Sequence, residues 1–111
     1  MELRAQMKAD LLQAMKARQT ATVSTLRSVL AAIDNAEAVP VSEPTQPVEP
    51  VMGQQNEVPR KLLSVEDIRQ IIQRELDERH AASLTYIQLG EQAEAGRLQR
   101  EVALLFDYLN R

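Results

Sequence analysis

Apolar residues recur every three or four positions through both ends of this chain, the spacing that lines one face of an α-helix. Leu3, Met7, Leu11 and Ala14 make the first stripe, widened by Leu12 and Met15. Val23, Leu26, Leu30 and Ile33 make the second. Between them Arg18-Gln19-Thr20-Ala21-Thr22 has no apolar anchor, and Thr20 is suited to cap the second helix. The pattern predicts helices over about 3–18 and 20–38, closed into an antiparallel hairpin. Pro40 forbids continuation through Val39.

The pattern returns in the second half. Val65, Ile68, Ile72, Leu76, Leu84 and Ile87 trace a face over about 64–89. Ser64 is a good N-cap, Glu66 and Asp67 suit the positive end of the helix dipole, and Gly90 suits the C′ position. Ala95, Leu98, Val102, Leu105 and Leu109 predict a last helix over about 92–109. Gly96 inside it costs ~1 kcal/mol relative to alanine.

All five prolines fall within residues 39–62, alternating with Val, Glu, Ser and Gln. Each proline fixes φ and removes a donor, so neither a helix nor a central strand is expected there. A solvated, semi-extended connector is one reading of this stretch; the Pro-Val-Glu-Pro spacing also resembles a polyproline II ligand. The expected fold class is therefore all-α: two antiparallel helical hairpins of four helices, joined by a Pro-rich connector. The length of 111 residues fits one folding unit over 1–111.

Composition narrows the chemistry. Aromatics are 3% of the chain, which argues against aromatic-rich β architectures, and three glycines leave no Gly-rich phosphate loop. With no cysteine and one histidine, thiolate zinc sites and histidine clusters within one chain are excluded. No metal and no cofactor is expected. No stretch reaches the ~18–20 apolar residues of a membrane span, and the first residues lack a signal-peptide core, so a cytoplasmic protein is expected.

Candidate catalytic groups lack partners. Glu75 and Glu78 share a face, but Arg69, Arg74 and Arg79 interleave them, the mark of a solvated, salt-bridged surface. His80 falls on or beside the apolar stripe, where a half-buried packing role is expected; Ser83 and Thr85 near it complete no nucleophile–base–orienter set. Tyr86, Phe106 and Tyr108 are expected to pack rather than to stack bases.

The net charge of −3 is unevenly spread: residues 1–38 carry five basic and four acidic side chains, residues 63–111 six and nine. Arg4, Lys8, Lys16, Arg18 and Arg27 make the first hairpin its cationic end and are the candidate nucleic-acid contacts. An ordinary charged surface is the alternative. Arg27, inside an apolar run, is also a candidate for an inter-helix ion pair.

Particular runs resemble a known family. Met15-Lys16-Ala17-Arg18, Ser24-Thr25-Leu26-Arg27 and Leu30-Ala31-Ala32-Ile33-Asp34-Asn35-Ala36-Glu37 are similar to the start of the YqeY-like family. That family is related to the C-terminal region of the B subunit (GatB) of the glutamine-dependent aspartyl/glutamyl-tRNA amidotransferase. Ile72-Gln73-Arg74-Glu75-Leu76, Arg79, Ala82, Tyr86, Gly90, Glu101 and Tyr108-Leu109 fall at the family's spacing. The resemblance covers nearly all of the chain outside 39–62 and implies the family's first helical domain without its second.

It also implies a helper in glutamine-dependent tRNA amidation, a carbon–nitrogen ligation with glutamine as amido-N-donor. The helper would be non-catalytic alone and would bind tRNA or the amidotransferase complex. A helical protein-interaction module unrelated to tRNA is the alternative. Leftover apolar stripe surface also allows a homo-oligomer.

Overall fold

The computed structural model describes residues 2–38 and 62–111. These described residues hold four helices: α1 (Leu3–Lys16), α2 (Thr20–Glu37), α3 (Val65–Gln88) and α4 (Gln92–Leu109). No strand occurs among the described residues. The helices pair as α1 with α2 and, more extensively, α3 with α4, so the two hairpins expected from the stripes are present. The connector reading of 39–62 falls outside the described residues except for Leu62, which is exposed.

The two hairpins turn in the same way. In the first, Ala17 ends α1 in the right-handed region, Arg18 takes φ +58°, and Gln19 leads into α2 at φ −88°, ψ 80°. In the second, Leu89, Gly90 (φ +79°) and Glu91 (φ −91°, ψ 78°) repeat that path. Hydrogen bonds repeat as well. Gln19 donates to the Ala14 carbonyl and Arg18 to Met15; Glu91 donates to Tyr86 and Gly90 to Ile87. Both are Schellman turns, which satisfy otherwise orphaned carbonyls at a helix end. Gly90 meets the left-handed conformation without penalty, whereas Arg18 adopts it with a side chain in place.

At the other ends, Ser64 caps α3 through a reciprocal box: its hydroxyl accepts from the Asp67 amide and the Asp67 carboxylate accepts from the Ser64 amide, both at 3.0 Å. Thr20 is not a cap. It is the first residue of α2, behind Gln19, because the Schellman geometry fixes where the new helix starts.

One buried cluster unites all four helices: Leu3 and Met7 of α1, Leu26, Val29, Leu30 and Ile33 of α2, Ile68, Ile71, Ile72 and Leu76 of α3, and Leu105 and Tyr108 of α4. Several expected core positions lie outside it. Leu12, Met15, Val65, Leu84 and Ile87 are exposed, as is Phe106. The α3 part of the cluster ends at Leu76, so Leu84 and Ile87 lie in the outer part of the second hairpin, beyond it. Phe106 is turned outward because its neighbours Leu105 and Tyr108 take the inward positions. No described helix is long and apolar enough to cross a membrane.

Candidate functional site

The five basic residues of the first hairpin do not form one patch. Arg4 sits near the start of α1, where Nη1 meets Glu37 Oε2 at 2.8 Å and Nη2 meets Asp34 Oδ1 at 2.7 Å. Its side chain is 17% exposed, and the Glu37 hydrogen bond, reinforced by Asp34 against the cost of burial, holds its proton more tightly than an ordinary arginine does. Arg4 thus ties the start of α1 to the end of α2. Lys8 is exposed about two turns before Lys16 on α1.

Lys16 ends α1 and Arg18 sits in the turn, both at the hairpin tip, and Arg27 follows about two turns into α2. Arg18 and Arg27 line an open groove of about 790 Å³ between the end of α1 and the first half of α2, with Met15, Thr20, Val23, Ser24 and Ser28. Among the described residues no carboxylate lines it. Arg27 is exposed and makes no ion pair with a described residue; its guanidinium approaches Met15 Sδ at 3.9 Å. The expected inter-helix pair is not formed because α2 turns Leu26 inward and Arg27 outward.

The groove meets α3 at Ser28. Arg79 Nη2 donates to Ser28 Oγ at 3.2 Å. Arg79 is the hub of the main charge network: Nη1 meets Glu75 Oε1 and Nε meets Glu101 Oε1, both at 2.8 Å, and Arg97 Nη1 meets Glu101 Oε2 at 2.8 Å. Burial opposes the charge of Arg79, and the bonds to Glu75 and Glu101 outweigh it, leaving the guanidinium a weaker acid than usual. Side chains of Glu75 and Glu101 are 15% and 14% exposed, so Glu75 does not belong to a solvated face. Its carboxylate turns toward Arg79 and α4. Glu78 is exposed.

A second network closes the opposite end. Tyr108, 1% exposed, donates from its hydroxyl to Asp10 Oδ2 at 2.5 Å. Arg111 lies 4.1 Å from the ring centroid, meets Asp107 at 2.8 Å and donates to Gln6 Oε1 at 2.9 Å. Arg69 donates to the Leu109 carbonyl. Asp10 is the residue that sequence reasoning missed; its only signal was an acid beside the apolar stripe of α1.

His80 is exposed, not half-buried: it lies one turn beyond Leu76, where the α3 part of the buried cluster ends. Ser83 is buried and donates to the His80 carbonyl at 2.7 Å, a local helix bond that leaves the imidazole uninvolved. Among the described residues no three His, Cys, Asp or Glu side chains are grouped to hold a metal. What the arrangement offers is a mostly apolar groove lined by two arginines. No family model, no curated protein and no solved structure matches this chain.

Proposed function

We propose that this chain is a non-catalytic, YqeY-like helper of glutamine-dependent tRNA amidation that docks on tRNA or on the amidotransferase through the tip of its first hairpin. One observation carries the reading. Within Ser24-Thr25-Leu26-Arg27, a run that resembles the family, Thr25 and Leu26 are buried while Ser24 and Arg27 line the groove. The run therefore has a structural half and a half available to a partner. Arg18 and Arg27 supply positive charge there, with Lys16 exposed at the end of α1, and the described cations of the second hairpin are mostly bound to its own carboxylates or carbonyls.

The reading predicts binding to purified amidotransferase or its tRNA. If phosphates are contacted, log affinity falls with log salt by about 0.9 per phosphate neutralised. Charge reversal at Lys16, Arg18 and Arg27 would weaken binding and flatten that slope. No binding to either partner at low salt contradicts the proposal.

A helical protein-interaction module unrelated to tRNA is the second reading. The apolar lining of the groove favours it, since bases stack on aromatic rings and none lines this groove. Binding that survives nuclease and high salt would favour it over RNA recognition.

A further inference from the structure

The groove of the first hairpin says more about its occupant than that it is a partner. Met15 and Val23 give it apolar lining, and Arg18 and Arg27 line it with positive charge. Neither arginine has an ion-pair partner among the described residues. Arg18 also holds φ +58° in a turn whose twin carries Gly90 at that position. A side chain in the left-handed region costs about 1–2 kcal/mol, so the fold alone would be served better by glycine. Strain of this kind, at the rim of a groove and on a charged side chain, points to a contact made by that side chain.

Spacing sets the shape of that contact. Arg18 stands in the turn two residues before Thr20 opens α2, and Arg27 lies about 10 Å along the helix from Thr20, so the two arginines are set apart along α2 rather than side by side. On a helix, residues i and i+7 are separated by the same rise, with i+3 and i+4 between them on the same face. We infer that the groove takes an acidic amphipathic helix of a partner protein, its carboxylates at i and i+7 meeting Arg18 and Arg27 and its apolar residues at i+3 and i+4 covering Met15 and Val23. This specifies the partner chemistry of the docking end proposed above and rests on that reading. Apolar residues in the groove supply most of the affinity, and the charged rim sets register and selectivity.

The test uses the full chain, labelled with ¹⁵N and titrated with three helical peptides. Each carries leucine at i+3 and i+4; positions i and i+7 are glutamate, glutamine or lysine. The glutamate peptide is expected to shift amide signals between Met15 and Ser28, and the glutamine peptide to bind about tenfold more weakly. In R18E/R27E the preference is expected to invert, with the lysine peptide binding best. Such a gain cannot come from an unfolded variant.

Equal affinity for the three peptides, or shifts centred elsewhere, overturns the inference. So does tRNA shifting the Met15–Ser28 signals while no peptide binds, an outcome that assigns the groove to RNA and leaves the helper reading standing. Peptide binding as described, with no binding of amidotransferase or tRNA, would sink the helper reading and keep the inference.

Discussion

Tyr108 hydroxyl donates to Asp10 Oδ2 across 2.5 Å, joining the last turn of α4 to the middle of α1 although the two residues are 98 positions apart. The phenol ring is buried while its partner's side chain is 43% exposed. This bond fastens the thinly packed first helix to the second hairpin. Tyr108→Phe is expected to lower stability by about 1–2 kcal/mol, the range for a bond to a partly solvated charged group, measured by urea unfolding at neutral pH.

Alkaline pH separates that bond from mere packing. Burial, then the Asp10 hydrogen bond, push the Tyr108 phenol above its ordinary 10.0. Above pH ~10 the unfolded chain releases this proton and the folded chain keeps it, so the unfolded state binds fewer protons and stability falls as pH rises. The contribution is complete below the unfolded value and is lost as pH climbs through the raised folded one. Wild type is therefore expected to lose stability faster than Tyr108→Phe between about pH 10 and pH 12, read from thermal midpoints. Parallel curves would contradict the assignment.

The twin turns predict opposite outcomes for opposite exchanges. Arg18→Gly relieves a left-handed side chain and is expected to stabilise by about 0.5–1 kcal/mol, after allowing for the greater freedom of unfolded glycine. Gly90→Ala is expected to destabilise by about 1 kcal/mol even though a Cβ there meets nothing within 4 Å, because the cost is conformational. Thermal midpoints of the two variants check the pair. Arg18→Gly should meanwhile weaken docking in the groove, so that stability and binding move in opposite directions.

Arg79 couples three helices through Glu75, Glu101 and Ser28. Removing its head as Arg79→Met leaves the largely buried Glu75 carboxylate without its cation and Glu101 with Arg97 alone, and a loss of about 2–4 kcal/mol is expected. A double-mutant cycle with Glu101→Gln should show coupling of about 1–3 kcal/mol, whereas Arg97→Met, on an exposed side chain, should cost less than about 1 kcal/mol. Urea unfolding of the four variants measures this.

Most of the fold was legible in the sequence for a local reason. The four expected spans, about 3–18, 20–38, 64–89 and 92–109, match the observed helices within two residues, since stripe spacing, Ser64, Gly90 and the proline boundary all act over a single turn. Position along a hairpin was not legible. Leu84 and Ile87 continue the α3 stripe, yet the buried cluster ends at Leu76 on that helix, and they remain exposed. Nor did helix spacing show which acids pair. Glu75 looked solvated because the sequence shows its arginine neighbours on α3 but not Glu101 arriving from α4. Of the basic candidates, Arg18 and Arg27 meet in a groove and Arg4 is held by Asp34 and Glu37, a distinction fixed by the hairpin's closure rather than by charge. Arg18 carried no warning of its left-handed backbone, because glycine normally marks it.

The most direct test of the docking account is a binding titration of the full chain against glutamine-dependent amidotransferase with and without its tRNA, run beside two charge-reversed variants. One reverses Lys16, Arg18 and Arg27 at the first hairpin; the other reverses the exposed Arg74 and Arg100 of the second. The account predicts that wild type binds, that the first variant loses about tenfold or more, and that the second binds as wild type does. Absence of binding by the wild type, or equal losses from the two variants, would contradict it.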